Sequence, residues 1–130
     1  MHVIIGGAHN GKRAFVQKLL SKQHAEGVSW HEGEVPAPGK HAVVIAGLEN
    51  WLAQCELSEE KAIDQIVEAV ENRPAIVILT DISRGIVPME AELRKLRDTC
   101  GRVYQRLFAE ASEVTKVWYG IPQNIKKRGE

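Results

Sequence analysis

The sequence predicts an α/β fold of three layers built on a mainly parallel sheet. Two observations carry this. Short apolar runs (Val3-Ile4-Ile5, Val43-Val44-Ile45-Ala46 and Ala75-Ile76-Val77-Ile78-Leu79) alternate with stretches of helical periodicity, the order expected when crossover helices join parallel strands. Those runs are apolar almost throughout, as in strands covered on both faces. A third observation narrows the class. The first run leads directly into Gly6-Gly7-Ala8-His9-Asn10-Gly11-Lys12-Arg13, the strand–loop–helix setting of the phosphate-binding loop G-x-x-x-x-G-K-[ST]. The expected fold is therefore P-loop NTPase-like.

Each element follows in order. Residues 2–5 read as a buried strand. Residues 12–22 read as a helix whose stripe is Phe15, Val16, Leu19 and Leu20, with charged and amide side chains opposite. Residues 23–40 carry Gly27, Gly33, Pro36, Pro38 and Gly39 and read as a loop or a pair of short extended pieces. Residues 41–46 form a second strand, and 47–50 a loop after it. Ser58 is a helix N-cap, with Glu59 and Glu60 complementing the helix start. Ala62, Ile63, Ile66, Val67 and Val70 recur at helical spacing, and Asn72-Arg73-Pro74 ends that helix. Residues 75–79 are the clearest strand, followed by a loop over 80–87.

Residues 88–111 are helical again, with Leu93, Leu96, Cys100, Val103 and Leu107 on one side. Gly101 interrupts this helix at about 1 kcal/mol relative to Ala and reads as a close approach to another backbone. Residues 114–119 form a last strand, ended by Gly120-Ile121-Pro122.

The length of 130 residues fits one domain, expected over 1–130. The 17 Lys and Arg balance the 17 Asp and Glu, so no global field draws the chain to nucleic acid. Lys126-Lys127-Arg128 reads as a solvated end. No apolar run reaches the length of a membrane span, and no signal-peptide pattern opens the chain. Cys55 and Cys100 are isolated and read as free thiols of a reducing cytoplasm. The five histidines form no helical pair and no cluster with cysteine, so no structural metal is expected.

Ligands of parallel sheets bind at the carboxyl ends of the strands. The segments after Ile5, Ala46 and Leu79 are thus expected to converge on one crevice. Gly6, Gly7, Ala8, His9, Asn10, Gly11, Lys12 and Arg13 would hold a nucleotide, the glycines by turning backbone N–H groups into a cup and Lys12 by its charge. Arg13 stands where the loop normally carries the Ser or Thr that holds Mg²⁺. It donates to phosphate bidentately and cannot ligate a cation. Asp81 and, after it, Glu49 are the carboxylates placed for metal or acceptor-hydroxyl work.

The C-terminal half carries a family resemblance. Ile78-Leu79-Thr80-Asp81-Ile82-Ser83-Arg84-Gly85-Ile86-Val87-Pro88 resembles the strand and G-I-V-P loop of the cobinamide kinase/cobinamide-phosphate guanylyltransferase family. Arg97-Asp98, Gly101-Arg102-Val103 and Gln105 resemble its R-D-x-x-G-R-x-N-Q helix, with Tyr104 in place of the asparagine. Ala111-Ser112-Glu113-Val114 resembles its A-D-E-V, and Gly120-Ile121-Pro122 with Ile125-Lys126 its closing G-I-P-x-x-I-K. Together with the glycine loop these motifs run in the family's order from end to end.

The resemblance implies a step of cobalamin biosynthesis. Members phosphorylate adenosylcobinamide with a nucleoside triphosphate, GTP or ATP, and then transfer GMP from GTP through a histidine intermediate. It also implies Mg²⁺ beside the nucleotide, a corrinoid substrate and a homo-oligomer, commonly a trimer. The family's H-x-x-x-R-P-x-x-W-x-T-x-E segment is represented by His24, Trp30 and Glu34, which implies His24 as the nucleotidyl acceptor and Glu34 at the nucleotide. The chain is shorter than the family after the first helix, lacks the Arg-Pro, and has Ala46 where members carry an acid at the end of the second strand. Three readings follow: an enzyme acting on adenosylcobinamide, a non-catalytic member that binds a nucleotide or partner, or an enzyme narrowed to one of the two steps, with the missing Arg-Pro counting against guanylyl transfer more than against phosphorylation.

Overall fold

The computed structural model describes residues 1–7, 11–24, 26–81 and 90–127. Its elements, in chain order, are β1 (His2–Gly6), α1 (Lys12–Lys22), β2 (Ser29–Glu32), β3 (Val43–Ala46), α2 (Leu48–Gln54), α3 (Glu59–Val70), β4 (Ala75–Thr80), α4 (Ala91–Glu110), β5 (Glu113–Trp118) and β6 (Ile121–Lys126). One sheet holds six strands in the order β2-β3-β4-β1-β5-β6. All neighbours are parallel except β5 and β6. This is the expected α/β class.

The sheet separates two apolar clusters. On one face Ile4, Val44, Ala46, Ile76, Ile78 and Val117 pack under Val16, Phe15, Leu19 and Leu20 of α1. On the other, Val3, Ile45, Val77 and Leu79 pack against Leu48 and Leu52 of α2, Ile66 and Val70 of α3, and Cys100, Val103, Tyr104 and Leu107 of α4. Alternation along each strand sends Val3 one way and Ile4 the other, so the central strands are apolar on both sides. The helix over 12–22 and the Ser58 cap stand as expected. The Ser58 hydroxyl accepts from the Lys61 amide at 3.3 Å.

Several expected boundaries are corrected. Within 23–40 the short extended piece allowed by the sequence is present as β2, an edge strand registered Ser29↔Val43 through Glu32↔Ala46. The second strand of the sequence reading begins at Val43 rather than His41. The segment over 47–50 opens a helix, α2, anchored by Leu48 and Leu52. The chain does not end its sheet at 119. It turns at Tyr119 and Gly120 and returns as β6, antiparallel to β5. Its Pro122 is tolerated because a sheet edge leaves one side of the backbone unpaired. Gly101 is exposed, and a Cβ there would meet nothing within 4 Å, so it marks no close backbone approach.

Gly6 is the glycine that packing requires. Here β1 ends against β5, and a Cβ at Gly6 would collide with the Val117 carbonyl oxygen. The same residue sets the carboxyl end of the central strand, where the site lies.

Candidate functional site

Two strand-to-helix turns are built alike. Gly11 caps α1 at φ 83° and Gly47 caps α2 at φ 73°, both in the left-handed region that glycine enters without strain. Neither cap has a side chain to occupy the first amides of its helix. At Gly47 a Cβ would stand 2.9 Å from the Gly33 amide nitrogen. That amide donates to the Ala46 carbonyl at 2.8 Å, so the ends of β2 and β3 are clasped together.

Lys12 is the central charge. Its residue is only 4 % exposed, and its ammonium donates to the Gly7 carbonyl at 2.6 Å. Burial is the main cause that holds its pKa below the ordinary lysine value. The neighbouring Arg13 charge adds to that, and the Glu49 carboxylate opposes it. A buried ammonium needs hydrogen-bond and charge partners to offset lost hydration. Lys12 is thus ready for an anion.

Arg13 faces another way. Its Nε donates to Glu32 Oε1 at 2.8 Å and its Nη2 to Glu32 Oε2 at 2.9 Å. This bidentate pair ties the first turn of α1 to the end of β2 and raises the guanidinium pKa while lowering that of Glu32. Both partners are about half exposed, so its contribution to stability is small. Glu32 is a site neighbour that sequence reasoning missed. Nineteen positions separate the two partners, and no local spacing signals such a pairing.

Asp81 follows β4. Its amide donates to the Gly6 carbonyl at 2.9 Å, which fixes it against the end of β1. The Tyr104 hydroxyl, reaching from α4, donates to the Thr80 carbonyl at 3.0 Å. Burial is the main cause that pushes the Tyr104 pKa up, and the charges of Cys100, Glu49 and Asp81 add to it. Cys100 is raised to about 11, first by burial and then by Glu49. The Glu49 charge thus acts on Lys12 and Arg13 on one side and on Cys100 and Tyr104 on the other. Its Oε2 is shut off from solvent and has no hydrogen-bond partner. Gly6, Gly7, Gly11, Lys12, Glu49 and Asp81 therefore meet at the carboxyl edge of the sheet, as the three convergent segments predict.

The remaining expected residues are placed as follows. Ala8, His9 and Asn10, and the loop over 82–88, lie outside the described residues. Glu34 is exposed, and its Oε1 is 3.0 Å from His31 Nδ1. Trp30 is half-buried and packs onto the cluster beneath α1. His24 is exposed at the far end of α1. An 11-residue helix spans about 16 Å, so His24 stands at the edge opposite Lys12. It has φ 51° and its amide donates to the Ser21 carbonyl at 3.2 Å. This is the left-handed position that ends a helix.

Comparison with known proteins adds a lineage. Residues 33–125 match the family described as cobinamide kinase / cobinamide phosphate guanyltransferase. The chain is 40 % identical over 81 residues to the bifunctional adenosylcobalamin biosynthesis protein CobU of Salmonella typhimurium, a match covering 60 % of this chain and 45 % of that protein. It is 41 % identical over 66 residues to the protein of the same name from Escherichia coli, covering 49 % of this chain and 36 % of that one. The matches thus span less than half the length of these relatives. The glycine loop precedes the family-matched stretch, so its chemistry rests on its own geometry.

Proposed function

The chain belongs to the cobinamide kinase / cobinamide phosphate guanyltransferase family, and on that premise we propose that it binds GTP or ATP at the carboxyl edge of its sheet and passes the terminal phosphoryl group to adenosylcobinamide or a related corrinoid. The observation that carries this is Lys12, a buried cation at a strand–glycine–helix junction whose ammonium donates to a backbone carbonyl. Charged groups aimed at a site where anionic charge accumulates are what phosphoryl transfer asks of a protein.

In this reading Lys12 and the loop amides hold the phosphate chain. Asp81, fixed beside Gly6, accepts the proton of the acceptor hydroxyl as its oxygen bonds the terminal phosphorus and the bridge to the β-phosphate breaks. Magnesium, when bound, neutralises charge on the phosphate oxygens. His24 stands at the far end of α1 from Lys12, so the proposal for this chain stops at phosphorylation. Guanylyl transfer through His24 would require that residue from a second copy, in keeping with the homo-oligomer that the resemblance implies.

A second reading is favoured by a specific observation. Arg13 replaces the metal-holding hydroxyl and is itself held by Glu32, which suits a member that binds nucleotide without turnover. Incubation with terminally labelled GTP or ATP, Mg²⁺ and adenosylcobinamide separates the two. Label on the corrinoid is expected. Label remaining on the nucleotide, with binding intact, overturns phosphorylation and leaves the second reading.

No described helix is long and apolar enough to cross a membrane, and action in the cytoplasm belongs to the proposal.

A further inference from the structure

We propose that Glu49 supplies the acid that holds a divalent cation against the phosphate chain, in place of the strand-end acid absent at Ala46 and the hydroxyl absent at Arg13. The inference rests on the nucleotide reading above and concerns how this chain completes that site.

Ala46 closes β3, is fully buried and presents only a methyl group. The left-handed turn at Gly47 then starts α2. Leu48 goes into the core at 0 % exposure, and Glu49 follows it in the first helical turn. An acid three residues past the strand thus reaches the region that a strand-end side chain would otherwise serve.

The state of that carboxylate is the second argument. Its Oε2 is buried with no hydrogen-bond partner. A buried anionic oxygen without a donor is costly, and burial is commonly compensated by pairing or by a metal. The nearby cations do not close the gap. The Arg13 guanidinium is committed to both oxygens of Glu32, and the Lys12 ammonium bonds the Gly7 carbonyl. Each is close enough for the Glu49 charge to shift it, yet neither donates to Oε2. A small divalent ion fits what is missing.

The donor chemistry agrees. Magnesium keeps several waters and is commonly bound by one or two carboxylates together with substrate phosphates. It needs no cage of protein ligands, and among the described residues no group of three His, Cys, Asp or Glu forms one. One carboxylate oxygen without a hydrogen-bond partner, close enough for its charge to act on Lys12 and Arg13, is sufficient.

The test is calorimetric titration of the full chain with GTP and with ATP, each in Mg²⁺ and in chelator, for the unmutated protein, Glu49→Gln and Glu49→Gln/Ala46→Asp. Mg²⁺ is expected to tighten nucleotide binding by the unmutated protein at least tenfold. Glu49→Gln should reduce that gain to twofold or less. Its metal-free affinity should be equal or higher, because a carboxylate facing phosphates without a cation repels them. The Asp at position 46 should restore most of the gain. Bound Mn²⁺, read by electron paramagnetic resonance in the presence of nucleotide, should follow the same order. Melting of Glu49→Gln at or above the unmutated temperature is expected and shows that it folds. A Mg²⁺ gain unchanged in Glu49→Gln overturns the proposal, because the cation is then held elsewhere. A loss of metal-free affinity in that variant also overturns it, and makes Glu49 a counter-ion of Lys12. No nucleotide binding with or without metal overturns the nucleotide reading itself.

Discussion

The two edges of the same sheet use their polar residues differently. At the amino edge, His2 Nε2 is 2.8 Å from Thr115 Oγ1, which donates to Asn124 Oδ1 at 3.0 Å. His2 Nδ1 lies 3.5 Å from Glu113. The Ser112 hydroxyl closes onto the Met1 carbonyl at 3.1 Å, and Arg73 Nη1 donates to the Ala37 and Ala69 carbonyls. The His2, Thr115 and Ser112 contacts tie β1, β5 and β6 together, while Arg73 binds the end of α3 to the segment before β3 and its Nε lacks a partner. At the carboxyl edge, buried Lys12 donates to the Gly7 carbonyl and Glu49 keeps an orphaned oxygen. A scaffold satisfies its buried polar groups. Yet each edge keeps one orphaned buried atom among the described residues; the carboxyl edge differs in setting its orphaned carboxylate oxygen near a buried ammonium on which its charge acts.

The comparison can be broken by substitution. The largest effect is expected at Lys12. A lost charge-assisted hydrogen bond costs about 1.5–3 kcal/mol, so Lys12→Ala should weaken nucleotide binding by roughly 10–100-fold while its melting temperature holds or rises. Unchanged affinity in calorimetry would remove the carboxyl edge as the nucleotide site. The same lysine gives a pH signature. Its pKa is depressed by burial, so the charge is lost at a lower pH than for an ordinary lysine. Affinity should then decline on the alkaline side ahead of the usual lysine range, and Lys12→Arg should remove the decline.

Gly6→Ala tests the scaffold that delivers the loop. Its Cβ would meet the Val117 carbonyl oxygen and the Lys12 stem, and overpacking of this kind costs about 1–3 kcal/mol. Denaturant unfolding should show that loss even without nucleotide. An unaltered midpoint would mean that β1 and β5 part easily.

His2 carries a smaller, pH-dependent effect. Burial lowers its pKa, against the pull of Glu113. The unfolded chain therefore binds the proton more readily, and stability should be fully present above the ordinary histidine pKa of 6.5. It should fall as pH drops below that value towards the folded pKa. His2→Gln should flatten this part of the stability profile, and a profile of the same slope would assign the effect to other groups. The smallest effect is expected at His24. Exposed and distant from Lys12, it should tolerate Ala with a stability change within about 0.5 kcal/mol and no change in nucleotide affinity. A tenfold loss of affinity would show that the two edges communicate.

Residues of one sheet differ in how legibly they were written. The central strands announced themselves because Val43–Ala46 and Ala75–Thr80 are buried on both faces, and burial on both faces demands continuous apolar sequence. The edge strands did not. Ser29–Glu32 is half-buried apart from exposed Glu32, and Ile121–Lys126 is largely solvent-facing, so neither needed the continuous apolar run that marks a central strand. The short helix α2 escaped because a single Leu48–Leu52 pair is too little to establish a period.

What the chain alone determined is its layered class, the position of Lys12 at the first turn and the convergence of three segments on one edge. These follow from local chemistry: a glycine that permits the turn, an apolar run that must be buried, a lysine that follows at fixed spacing. Only the tertiary structure decided that Arg13 belongs to Glu32, that Tyr104 reaches Thr80 and that a Glu49 oxygen is sealed away unpaired. Those outcomes depend on residues far apart in sequence arriving at one place, and on which of them water can still reach. Burial and pairing are properties of that arrangement, and no stretch of neighbouring residues encodes them.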